Sequence, residues 1–144
     1  MRNLDILYPV FALAAWTFLV LLLIPFVRVR SVRRREIAPN DFKYGESTAV
    51  PPAVSIPNRN YMNLLELPML FYVVSVVLYV TAGTRPLAVT VAWAYVALRV
   101  VHSIIHLSYN HVLHRLAAFT LSNVALVSLW VIAGIHVASQ SVGQ

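Results

Sequence analysis

Arg59, Asn63 and Glu66 fall at i, i+4 and i+7 in a stretch that is otherwise apolar. A 3.6-residue helix projects all three from one side, while Tyr61, Met62, Leu64, Leu65 and Leu67 cover the rest. Arg99, His102 and His106 repeat the arrangement at i, i+3 and i+7, again one helix face, and Arg115 follows after a short gap. Three arginines gather here with one carboxylate, Glu66, and that cationic surplus favours an anionic ligand. Arginine suits a carboxylate because its planar fork donates paired hydrogen bonds.

The elements that must position these groups are set by composition. The 144 residues are 60% hydrophobic and 11% charged, with a mean hydropathy of +0.75. That is more apolar side chain than a soluble core of this length can bury, so the expected class is an integral membrane protein. Four apolar runs, at about 6–27, 59–82, 87–107 and 115–138, each have the length of a spanning helix. The first is too long for a signal-peptide core and runs into Arg28, Arg30 and Arg33–Arg35 rather than a cleavage site. Residues 28–58 carry Arg28, Arg30, Arg33, Arg34, Arg35 and Lys43, then Pro39, Pro51, Pro52 and Pro57, and read as a basic, solvated loop. Short links at 83–86 and 109–114 make the later helices antiparallel neighbours. The sequence thus predicts an all-α, up-down-up-down four-helix bundle forming one transmembrane domain over residues 1–144. Pro68 cannot donate to the carbonyl of Leu64, so a kink is expected beside the polar stripe.

Charge supplies orientation. The basic loop and Arg115 lie at one end, against Arg2 and Arg85 at the other, so the positive-inside rule puts both termini away from the cytosol. The net charge of +6 is accordingly read as a membrane topology signal rather than a nucleic-acid footprint. The six polar residues of the two stripes, and Arg115 with them, then fall in the cytosolic half of the bundle. Glu66 and Arg99 lie deep enough that an unpaired charge would cost on the order of 3 kcal/mol, so both should face protein or water. A purely structural Glu66–Arg99 ion pair is the plain alternative to a site. With no cysteine, thiolate metal sites and a protein thiol nucleophile are excluded, and sulfur chemistry must come from a ligand.

Arg59-x3-Asn63-x2-Glu66 before Pro68, Arg99-x2-His102 on the third helix and Arg115 at the start of the fourth resemble the MAPEG superfamily, the membrane-associated proteins of eicosanoid and glutathione metabolism. The resemblance, to a bacterial-type member, covers most of the chain, from the first helix and its basic Arg28/Arg30 exit to the fourth. It implies a homotrimer in a bacterial inner membrane, with glutathione as co-substrate in a cleft between subunits near the cytosolic face. By that likeness Arg59, Asn63 and Glu66 hold the polar ends of the tripeptide, with Arg99 and His102 beside them, and Arg28 or Arg30 reaches a carboxylate. Arg115 would lie near the thiol. A thiol pKa of about 8.5 lowered by about two units corresponds to roughly 2.7 kcal/mol of thiolate stabilisation. The thiolate would attack a lipophilic electrophile or peroxide arriving from the bilayer, which makes the implied activity a transferase or peroxidase. Enzymatic relatives usually carry a tyrosine where His106 stands, and their proline comes one or two positions later than Pro68. His106 and Tyr109, three residues further on, are therefore the candidates, with Arg115, for the chemical step.

Two other readings use the same residues. A non-enzymatic membrane protein binding an anionic lipid or metabolite accounts for the cationic cleft and for the absent tyrosine. His102-x3-His106 and His111-x2-His114 resemble the histidine boxes of membrane di-iron enzymes, but five histidines and five acids supply too few ligands for two irons. No metal is assigned.

Overall fold

A computed structural model describes residues 4–43, 45, 48 and 50–141. Every regular element among them is helical. A short 3-10 turn, Leu4–Ile6, leads into α1 (Leu7–Arg33), and a second, Pro39–Phe42, lies in the following loop. Then come α2 (Pro52–Leu65), α3 (Pro68–Val80), α4 (Pro86–Leu107) and α5 (Val112–Ser141). The stretches Leu4–Arg33, Pro52–Val80, Pro86–Leu107 and Val112–Ser141 are long and apolar enough to cross a membrane. The shortest, 22 residues, reaches about 33 Å against a hydrocarbon core of about 30 Å. The protein is an all-α, four-span bundle. Arg2, used above for orientation, lies outside the described residues.

Three boundaries differ from expectation for physical reasons. Charges end the apolar run of α1 but not the helix, which continues to Arg33 and closes with Arg35 at φ 58 and a hydrogen bond from the Glu36 N–H to the Ser31 carbonyl (3.1 Å). The second span begins at Pro52 rather than 59, because Pro52 is tolerated in the first turn. Val54 there packs with Ile37 and Val50 against Val27, Val32 and Phe42, so these residues of the basic loop lie against the end of α1. The second span is also two helices: Glu66 leaves the helical region at ψ −94, and α3 restarts at Pro68.

The core explains why the pieces stay aligned. Ile6, Leu13 and Val20 recur every seven residues along the first span and meet Leu64, Phe71, Val74 and Leu78 of the second. Ala88 and Ala92 of α4 and Ala133 of α5 are buried where small side chains let the helices approach closely. Tyr95, fully buried, stacks on Phe71 with ring centroids 4.7 Å apart. Phe11, Phe18, Leu22 and Phe26 on α1 and Leu121, Val124, Val127 and Val131 on α5 remain exposed, which suits a lipid environment. α4 and α5 pack along their lengths, α1 lies against α2, α3 and α4, and α3 also touches α5.

Candidate functional site

At the end of the bundle that holds the basic loop, α2, α4 and α5 diverge around a cleft of about 590 Å³. Arg59, Met62 and Asn63 line it from α2, His102 and His106 from α4, Asn110 from the link, and Arg115, Leu116 and Phe119 from α5. Five of the ten sequence candidates therefore share one cavity: Arg59, Asn63, His102, His106 and Arg115. Arg59 is exposed at its mouth, both histidines are buried in its wall, and Arg115 is half-buried between them.

The link between α4 and α5 fixes the cationic wall. Asn110 takes φ 48, a left-handed conformation that asparagine tolerates better than most residues, and its N–H caps the carbonyl of Ile105 at 2.8 Å. Its side-chain Oδ1 accepts a 2.7 Å hydrogen bond from Arg115 Nη1. His102 Nδ1 lies 3.0 Å from the Arg115 backbone carbonyl. A carbonyl only accepts, so Nδ1 carries the proton and a neutral His102 keeps its lone pair on Nε2. That Nε2 is buried without a partner, and so is Nδ1 of His106. The cleft thus offers two arginine donors, Arg59 and Arg115, a set that suits a ligand carrying anionic oxygens. Among the described residues no three His, Cys, Asp or Glu side chains converge as a metal ion would need.

Arg99 sits behind this wall, fully buried. Its Nη2 donates to the backbone carbonyl of Asn63, and its guanidinium carbon lies 5.7 Å from the centre of the Phe119 ring. The break at Glu66 frees the Asn63 carbonyl from the helix ladder, and a cation at the carbonyl end of a helix is also favoured by the dipole. Arg99 is in this way the cap of α2. The guanidinium does not pair with Glu66, whose side chain is exposed and outside the cleft lining.

The remaining candidates stand apart in the single chain. Arg28 is half-buried, with its guanidinium 4.5 Å from the centre of the Phe42 ring. Arg30 is exposed and lines a separate groove with Phe26, Val29, Arg33 and Arg34. Tyr109 is exposed and its hydroxyl is 3.2 Å from His114 Nδ1, outside the cleft. Sequence reasoning missed Asn110 and Phe119, and also Asn60, which is fully buried and donates from Nδ2 to Ser103 Oγ. An asparagine in a helix–helix link, five residues before an arginine, was the available signal for Asn110; nothing local marked Phe119.

Comparison with protein families matches residues 6–135 to the MAPEG family. No curated protein and no solved structure matches the chain.

Proposed function

The chain belongs to the MAPEG family, and from that premise we propose that it is a glutathione-dependent transferase or peroxidase acting on lipophilic electrophiles within the membrane. The family and the four apolar spans make it an integral multi-pass membrane protein. The observation that carries the proposal is the convergence of Arg59, Asn63, His102, His106 and Arg115 on one cleft of about 590 Å³. In this reading Arg59 and Asn63 hold the polar ends of glutathione. Arg115, steadied by Asn110, faces the thiol and favours its thiolate. The thiol proton leaves to water, and sulfur forms a bond to the electrophilic carbon as its leaving group departs, or to the terminal peroxide oxygen as the O–O bond breaks, giving a sulfenic acid and an alkoxide that takes a proton from water; a second glutathione then converts the sulfenic acid to the disulfide and releases water.

Glu66 and Arg30 are exposed on the single chain. A homotrimer in which the neighbouring copy brings Arg28 or Arg30 towards the ligand gives both ends of the tripeptide a partner, and it is part of the proposal. So is an orientation with the cleft on the cytosolic side, both termini opposite and the whole chain acting as one domain, in a bacterial inner membrane. It is supported by the excess of arginine at the cleft end.

The test is to titrate purified protein with glutathione and to assay it with a model aryl halide and a lipid hydroperoxide. Absence of both binding and turnover would overturn the proposal. Arg115→Ala should abolish the ultraviolet absorbance of the bound thiolate, whereas Arg59→Ala should mainly weaken binding. Equal effects of the two on both readouts would refute the division of roles.

A second reading is favoured by His106, whose imidazole stands where a catalytic phenol is expected: a non-enzymatic protein whose cleft holds an anionic lipid or metabolite. Mass spectrometry after gentle extraction separates the two. A stoichiometric lipid with no thiol activity supports the second, and retained glutathione excludes it.

A further inference from the structure

Behind the cleft, Asn60 of α2 and Ser103 of α4 are both fully buried, and Asn60 Nδ2 donates to Ser103 Oγ. We propose that this pair is a positioning element: it fixes where α2 stands against α4, and so sets how far Arg59 and Asn63 lie from His102, His106 and Arg115 across the cleft. Its effect on glutathione affinity rests on the function proposed above; its effect on the geometry of the walls does not.

The place of the two residues singles them out. Pro57, Asn60 and Leu64 follow one another at helical spacing along the buried face of α2, and Val96, Arg99 and Ser103 do the same on α4. Ser75 and Ser128 return their hydroxyls to the carbonyl four residues back in their own helices, the ordinary resort of a serine in a helix. Ser103 is met instead by a side chain from another span. A hydroxyl both donates and accepts, so the link holds whichever way the amide is turned.

Apolar contact alone does not define this alignment. Lipid tails are as apolar as leucine, so helices in a bilayer gain little from packing at one height rather than another, and a polar link supplies the preference. A single buried asparagine fixes register in coiled coils in the same way. A second link agrees with the first: Arg99 Nη2 reaches the Asn63 carbonyl, one turn further along α2 and one turn back along α4, as antiparallel neighbours require. A slip of one turn, about 5.4 Å, breaks both. Asn60 and Ser103 directly follow Arg59 and His102 in the chain, so a slip also separates side chains that line the cleft. Arg115 keeps its own surroundings, because its acceptor Asn110 belongs to the same α4–α5 hairpin.

The chain has no cysteine, so the full-length protein can be spin-labelled at Leu65→Cys and Ile104→Cys, positions 42% and 48% exposed on α2 and α4. Dipolar electron paramagnetic resonance in lipid nanodiscs, with unlabelled protein in excess, reads the distance within one chain. Asn60→Leu and Ser103→Ala should each broaden that distance and weaken glutathione binding by about tenfold. The double variant should be no worse than either single one, and Ser103→Thr, which keeps the hydroxyl, should retain native values. At saturating glutathione the pH midpoint of the thiolate absorbance should not move. An unchanged distance in both single variants would overturn the proposal whether or not glutathione binds, and so would losses that add in the double variant. A broadened distance with unchanged affinity would overturn the effect on binding, and a shifted midpoint would place Asn60 beside the thiol rather than behind the wall. Failure of the native protein to bind glutathione would strike the function proposed for the cleft and leave the distances to decide the geometry. Should Asn60→Leu fail to fold, Ser103→Ala carries the same test.

Discussion

Replacing Arg99 by methionine separates the arginine's part in shaping the cleft from any part in holding the bundle together. The guanidinium is fully buried and donates to the Asn63 carbonyl at the break between α2 and α3. Losing a hydrogen bond from a charged donor costs about 1.5–3 kcal/mol, and the orphaned carbonyl adds a penalty in the same direction. Against this, Nε and Nη1 of Arg99 are buried without partners, so removing the cation relieves a desolvation cost, and apolar replacement of a buried charge is often neutral or stabilising. The two effects are comparable, and thermal stability in detergent should change by no more than about 1 kcal/mol. The cleft has no such compensation, because the side chain of Asn63 lines it and its backbone is no longer held. Isothermal titration should show glutathione affinity falling by about 10- to 100-fold, equivalent to about 1.4–2.8 kcal/mol. Arg99→Lys, which keeps the charge without the fork, should fall between. A loss of more than about 3 kcal/mol of stability with unchanged affinity in the folded fraction would refute the reasoning and make Arg99 purely structural.

Three further outcomes follow from named contacts. Asn110→Ala removes the acceptor 2.7 Å from Arg115 Nη1 and should reduce, without abolishing, the thiolate absorbance, by an amount smaller than Arg115→Ala causes; an equal loss would contradict a supporting role. His106→Tyr restores a phenol on the cleft wall and should raise turnover with an aryl halide by about tenfold or more if general acid assistance is what the chain lacks, measured as kcat with KM unchanged. Gly83→Ala drives a Cβ into the His136 ring and should cost about 1–3 kcal/mol in thermal unfolding, with most of that recovered in the Gly83→Ala/His136→Ala double variant.

The spans were legible because a membrane-crossing helix announces itself by length and hydropathy, and the break at Pro68 because a missing N–H is a local property of the chain. The start of α2 was not. Two prolines within residues 52–57 read as loop, and the helix forms there because Val54 finds Ile37, Val50 and the end of α1, partners distant in sequence. The site divides in the same way. Periodicity placed Arg59 and Asn63 on one wall and His102 and His106 on another, and both pairs line the cleft. It also set Glu66 beside Asn63, but the turn at Glu66 alters the direction of the chain and leaves that side chain exposed. Arg99 is expected to face protein or water, with a side-chain pair to Glu66 as the plain alternative. Its acceptor is a backbone carbonyl, available only because the helix breaks, and no pattern of residue types displays that.

The close pairing of α4 with α5 bears on the order in which the protein is built. Their link is a few residues long and their contacts are local in sequence, so loop-closure entropy is small and this hairpin can form early. It already carries His102, His106, Asn110 and Arg115. Arg59 and Asn63 arrive only when α2 docks. Cleft formation is then the closing event of assembly, and a ligand spanning the two halves stabilises only the finished state, by about 2.7 kcal/mol at a hundred times its dissociation constant. Saturating glutathione should accordingly slow proteolysis in loop 34–51, next to α2, more than at the α4–α5 link. Equal protection at both positions would show that the halves assemble together.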